Sequence, residues 1–88
     1  MTITPMDVYE QGGKQIEVLN ICTLIDALFG TDWTTHPPYM EQGAKIMAWC
    51  KENNVSYYAR PRDMFFMFEA VNLAIKEGHT KVLVEDMS

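Results

Sequence analysis

The stretch Thr80-Lys-Val-Leu-Val-Glu85 decides how this 88-residue chain is read. Its Val82-Leu83-Val84 triplet predicts a buried central strand, because an unbroken run of apolar and β-branched residues suits a strand enclosed within a sheet. Just before it, Gly78 marks the left-handed stop of a helix, with His79 two positions past the last turn. That helix runs back to about Pro61. Upstream of it, Val55-Ser-Tyr-Tyr-Ala59 has the residue types that fit a pleated surface and predicts a short strand. Arg60-Pro61-Arg62-Asp63 turns the chain between the two. This last β-α-β stretch makes a right-handed crossover if its strands are parallel neighbours.

The first half begins with residues 6–19, which read as a β-hairpin around Gly12-Gly13, where both glycines can supply positive φ. A three-residue loop through Lys14 would pair Val8 with Val18 and place Ile16 on the same face. A two-residue loop pairs Asp7 with Val18 instead, a poorer match, and the sequence leaves the register open between the two. Asn20 is a good N-cap for a short helix from Ile21 to Phe29, closed by Gly30. Ile21, Cys22, Leu24, Ile25, Ala27, Leu28 and Phe29 cover more than half its circumference, which predicts an element inside the core. The segment Thr31–Pro38 is a loop whose prolines open a second helix from about Pro38 to Asn53. Tyr39, Gly43, Ile46, Met47 and Cys50 form its apolar stripe, Glu41, Lys45 and Glu52 its polar face, and Trp49 sits at the border.

The expected architecture is therefore a single α+β domain of order β-β-α-α-β-α-β. It has a mixed three- to four-stranded sheet with its helices packed on one face.

Composition narrows the functional classes. Apolar residues are 48% of the chain and charged residues 22%, too rich in the first for a disordered segment. Twelve acids against seven bases give a net charge of −5, which argues against nucleic acid as partner. The charge is unevenly placed. Residues 1–44 hold Asp7, Glu10, Glu17, Asp26, Asp32 and Glu41 against Lys14 alone, while residues 45–88 balance six acids with six bases. No signal-peptide pattern and no membrane-length apolar run is present, so a cytoplasmic protein without membrane contact is the expectation.

Cys22 and Cys50 both fall on apolar helix faces and read as buried free thiols. With His36 and His79 they have the count of a zinc site and lack its spacing, so no metal and no cofactor is expected. No Ser or Cys has a local motif pairing it with His, and no catalytic residue is assigned.

Three surfaces remain. Trp33, His36 and Tyr39 punctuate the proline-bearing loop, and large aromatics on loops are favoured contact residues. The third helix carries apolar residues over about 220° at 100° per residue, Phe68 among them. Phe65 points the other way, which suggests a partner surface or a homodimer. Arg60 and Arg62 bracket a strand-to-helix turn where an anion or nucleotide could bind.

The leading expectation is a small protein-binding module. It would be a regulator or inhibitor that occupies a basic surface on another macromolecule, of the kind mobile elements and phages encode by analogy of size and composition. The acids Asp26, Asp32 and Glu41 would steer association, and Trp33, Tyr39, Trp49 and Phe65 would anchor it. The alternatives are an oligomeric small-molecule or nucleotide binder using Arg60 and Arg62, and a winged DNA-binding module with the second helix as reader. Glu41 and Glu52 on that helix count against the last.

Overall fold

A computed structural model describes residues 3–59 and 65–85. Residues 60–64 lie outside that description, and with them Arg60, Arg62 and the first turn expected of the third helix. The described elements are β1 (Asp7–Gln11), β2 (Lys14–Asn20), α1 (Ile21–Phe29), a 3-10 turn (Trp33–Thr35), α2 (Tyr39–Glu52), β3 (Val55–Tyr58), α3 (Phe66–Glu77) and β4 (Lys81–Val84). The order β-β-α-α-β-α-β and the mixed α+β sheet are as the sequence predicts.

The sheet has four strands in the order β1-β2-β4-β3. β1 and β2 are antiparallel, and β4 runs parallel to both β2 and β3. Val82, Leu83 and Val84 have no exposed surface, as a central strand requires. Side chains alternate across a strand, and β4 divides accordingly. Leu83 joins Leu19, Ile21, Leu24, Ile46, Trp49, Cys50 and Val55 in one cluster beneath α1 and α2. Val82 and Val84 join Ile16, Val18, Tyr58, Phe66, Ala70, Val71 and Ala74 in a second cluster beneath α3.

The helices therefore cover both faces of the sheet, which corrects the single-face packing expected from the sequence. The reason is topological. The β2-to-β3 crossover carries α1 and α2 past β4, whereas the β3-to-β4 crossover returns one place in the opposite direction. Two crossovers of the same hand that run in opposite directions must lie on opposite faces, and the right-handed rule fixes the same hand for both.

Of the two hairpin registers the sequence allows, the structure takes the one with the poorer apolar pairing. Gln11 pairs with Lys14, Tyr9 with Ile16 and Asp7 with Val18, so the loop is the two residues Gly12-Gly13. Their φ values of 59° and 78° suit a primed turn, whose twist matches that of the flanking strands. This register packs Tyr9 against the α3-side core and leaves Val8 half-exposed. Placing the larger ring over the sheet outweighs the loss of a Val–Val pair.

Asn20 ends β2 and caps α1 directly, its side-chain oxygen accepting from the Cys22 N–H at 2.8 Å. Within α1 only Ile21 and Leu24 are buried. It lies on the margin of the sheet instead of inside the core, and Cys22 is exposed. The α2 stripe is rotated from the expected one: Ile46, Trp49 and Cys50 are buried, while Tyr39 and Met47 face outward. Gly78 closes α3 in the left-handed region, with its N–H on the Ile75 carbonyl and the His79 N–H on the Ala74 carbonyl. That pair of bonds is a Schellman stop. The fully buried Ala70 and Ala74 let α3 approach the sheet closely, and Phe68 is turned outward, against expectation.

Leu83→Ala removes a fully enclosed side chain at the sheet's centre. Chemical denaturation is expected to show a loss of about 2–5 kcal/mol; a loss below about 1 kcal/mol, the ordinary range of peripheral substitutions, would contradict this packing.

Candidate functional site

Three of the residues expected to contact a partner line one cleft. Asp26 from α1, Trp33 from the 3-10 turn and Tyr39 from the start of α2 surround a cavity of about 460 Å³, together with Cys22, His36 and Gln42. A smaller cavity of about 250 Å³ adjoins it, sharing Ile25, Tyr39 and Gln42, and reaches Tyr57 and Glu85 at the ends of β3 and β4. The cleft thus opens beside the carboxyl ends of parallel strands, where α/β sheets whose crossovers change face place their ligand sites.

The connection between α1 and α2 is held by its own polar groups. Asp32 accepts from the backbone N–H and the hydroxyl of Thr34, at 3.2 Å and 2.6 Å. The Thr34 hydroxyl, then its N–H, hold the Asp32 carboxyl below the usual aspartate range. The sign is that of a depressed acid: the cap is intact at neutral pH and is lost as pH falls through that lowered value. The Thr35 hydroxyl donates to the Asp32 carbonyl at 2.8 Å, His36 Nε2 lies 2.7 Å from the Gly30 carbonyl oxygen, and Gln42 Nε2 donates to the Pro37 carbonyl at 2.7 Å. The His36 ring also packs on Phe29, with centroids 5.8 Å apart.

On this braced segment Trp33 is 77% exposed and Tyr39 90% exposed. Rings left this exposed to water contribute little to the stability of the fold. Glu41 stands in the first turn of α2, exposed, and pairs with Lys45 at 3.6 Å. Lys45 also lies 5.9 Å from the Phe29 ring centroid.

The other residues expected at the site are elsewhere. Trp49 is 8% exposed and belongs to the core beneath α1 and α2. The buried stripe of α2 is shifted from the expected one, which turns the indole inward. Phe65 is 61% exposed and lies at the start of α3, across the sheet from the cleft. Met40 is 90% exposed beside Tyr39 and was not singled out from the sequence. A single Met at a helix start carries no pattern that would distinguish it from a core residue.

Tyr57 donates its hydroxyl to the Glu85 carboxylate. Burial first, and then that carboxylate, raise its pKa. The tyrosine therefore remains protonated at neutral pH and ties the end of β3 to the end of β4.

Comparison with protein-family models, curated proteins and solved structures returned no match.

The two thiols report on the cleft. Burial pushes the Cys50 thiol up to about 11, and only the thiolate reacts. At pH 8 a thiol reagent is expected to modify Cys22 in the folded protein and Cys50 only upon unfolding. Equal rates for the two would contradict the placement of Cys22 at the cleft and Cys50 in the core.

Proposed function

We propose that this protein is a binding module for another protein, acting as a regulator or inhibitor by occupying a basic surface on its partner. The observation that supports this reading most is the exposure of Trp33 and Tyr39 on a segment braced by side-chain hydrogen bonds. Rigid, exposed aromatics lose little freedom on binding and are the residue types that dominate interface energetics. Asp26, Asp32 and Glu41 stand around them, all exposed. They lie in the half of the sequence that holds the entire net charge of −5. Such a field steers association toward a positively charged surface.

Phosphate backbones fit this surface poorly. The outward side of α2 balances Glu41 and Glu52 against Lys45 and Lys51, and a groove reader needs an excess of cations there to displace counterions.

The test compares wild-type protein with Trp33→Ala and with Asp26→Lys/Glu41→Lys as baits in cell extracts, followed by titration against the retained protein. Trp33→Ala is expected to weaken binding by about 30-fold, corresponding to a hot-spot loss of about 2 kcal/mol. The charge reversal should slow association and flatten its dependence on salt. A retained partner that binds Trp33→Ala as tightly as wild type would overturn the reading, as would retention that does not weaken with salt.

A further inference from the structure

Asp26 differs from the other acids near the cleft. The Asp32 carboxylate is engaged by Thr34, and that of Glu41 by Lys45. The Asp26 carboxylate is exposed and has no hydrogen-bond or ion-pair partner among the described residues. Its place in the helix is also unfavourable. α1 ends at Phe29, so Asp26 lies in the last turn, where the helix dipole is negative and favours a cation. An unpaired acid there adds nothing to its own fold and keeps its full charge for another molecule. The rest of the cavity wall shares its preference. Trp33 and Tyr39 offer exposed rings, whose negative faces attract cations. The Gln42 amide nitrogen is engaged by the Pro37 carbonyl, which leaves the Gln42 carbonyl oxygen as an acceptor. His36 Nε2 meets the Gly30 carbonyl, which can only accept, so that donor is occupied too. Among the described residues, no lysine or arginine lines the cavity.

We propose that this cleft receives a single arginine side chain of the partner, its guanidinium stacked on the Trp33 indole and donating to the Asp26 carboxylate. The proposal rests on the reading of the protein as a module for a basic partner, and it names the group that the module recognises. The chemistry of the wall selects arginine. A guanidinium is planar, so it lies flat on an aromatic ring. Its five donors can serve the Asp26 carboxylate and the Gln42 carbonyl together, and it gives up its water more readily than an ammonium does. The cavity of about 460 Å³ admits the aliphatic stem as well, against Ile25 and the two prolines Pro37 and Pro38. A phosphate or carboxylate would meet acceptors and ring faces, which repel it.

Titration with N-acetyl-arginine methylamide, followed at the Trp33 indole N–H by nuclear magnetic resonance, tests the proposal. Binding is expected to saturate with a Kd on the order of 1–10 mM, as suits one isolated side chain. The citrulline analogue, a neutral isostere, should bind about tenfold more weakly, as should arginine to Asp26→Asn. The lysine analogue should bind several-fold more weakly than arginine. Asp26→Asn should keep or raise the thermal midpoint, because the charge removed sits at the unfavourable end of α1. No saturable shift by about 50 mM would overturn the proposal. So would citrulline or lysine binding as tightly as arginine, or Asp26→Asn binding arginine as wild type does. The broader reading fails separately, through the protein retained from extracts. A retained partner weakened by Trp33→Ala and indifferent to Asp26→Asn would overturn the arginine site alone. Arginine binding with no retained partner sensitive to Trp33→Ala would overturn the module reading and leave the arginine site standing.

Discussion

The structure depends on β4. Its three core residues are fully enclosed, yet they point alternately to opposite sides of the sheet. A strand of this kind cannot be stabilised by a single layer of helices, because one of its faces would then be exposed to water. The rest of the chain meets this demand. β2 supplies Leu19 to one side and Ile16 and Val18 to the other, and β3 supplies Val55 and Tyr58 in the same way. The parallel registers place Leu19, Leu83 and Tyr57 side by side across the sheet, and likewise Val18, Val82 and Ser56. Ser56 is the only polar member of that second row, and its hydroxyl lies 2.9 Å from Nδ1 of His79, so burial leaves it satisfied.

The elements were legible in the sequence because each carries local chemistry that speaks for itself. Asn20 caps, Gly30 and Gly78 stop, the prolines open α2, and the Val82-Leu83-Val84 triplet declares a strand. What depends on a second element was less legible. The two-residue turn is decided by where Tyr9 packs, and periodicity within the hairpin does not contain that information. α1 is apolar nearly all round, yet only two of its side chains are buried, because it sits at the margin of the sheet. Trp49 and Phe68 exchange their expected environments for the same reason. A helix with apolar residues on a wide arc can be rotated either way, and the sheet beneath it chooses. Among the residues expected at the candidate site, Asp26, Trp33 and Tyr39 converge on one cleft. Trp49 and Phe65 do not, since the face each helix turns to solvent is fixed by tertiary packing.

Covering β4 on both sides also separates the surface of a small domain into distinct territories. The α1–α2 connection and its cleft carry exposed aromatics amid acid. The outer side of α3 carries the exposed Phe65 and Phe68. Both use side chains that contribute nothing to the core, and in both the apolar surface is displayed on an element whose backbone is fixed from below. The acidic balance is therefore a local property of one territory and not a uniform coating.

Hydrogen exchange of backbone amides tests most directly the claim that β4 is the spine shared by both cores. If it is, the amides of Val82, Leu83 and Val84 exchange only through global unfolding, and their protection equals the stability measured by denaturation. Those of β1 and of the α1–α2 connection exchange through cheaper local openings. Amides of β4 that exchange faster than those of β1, or by an opening well below the global stability, would contradict the account.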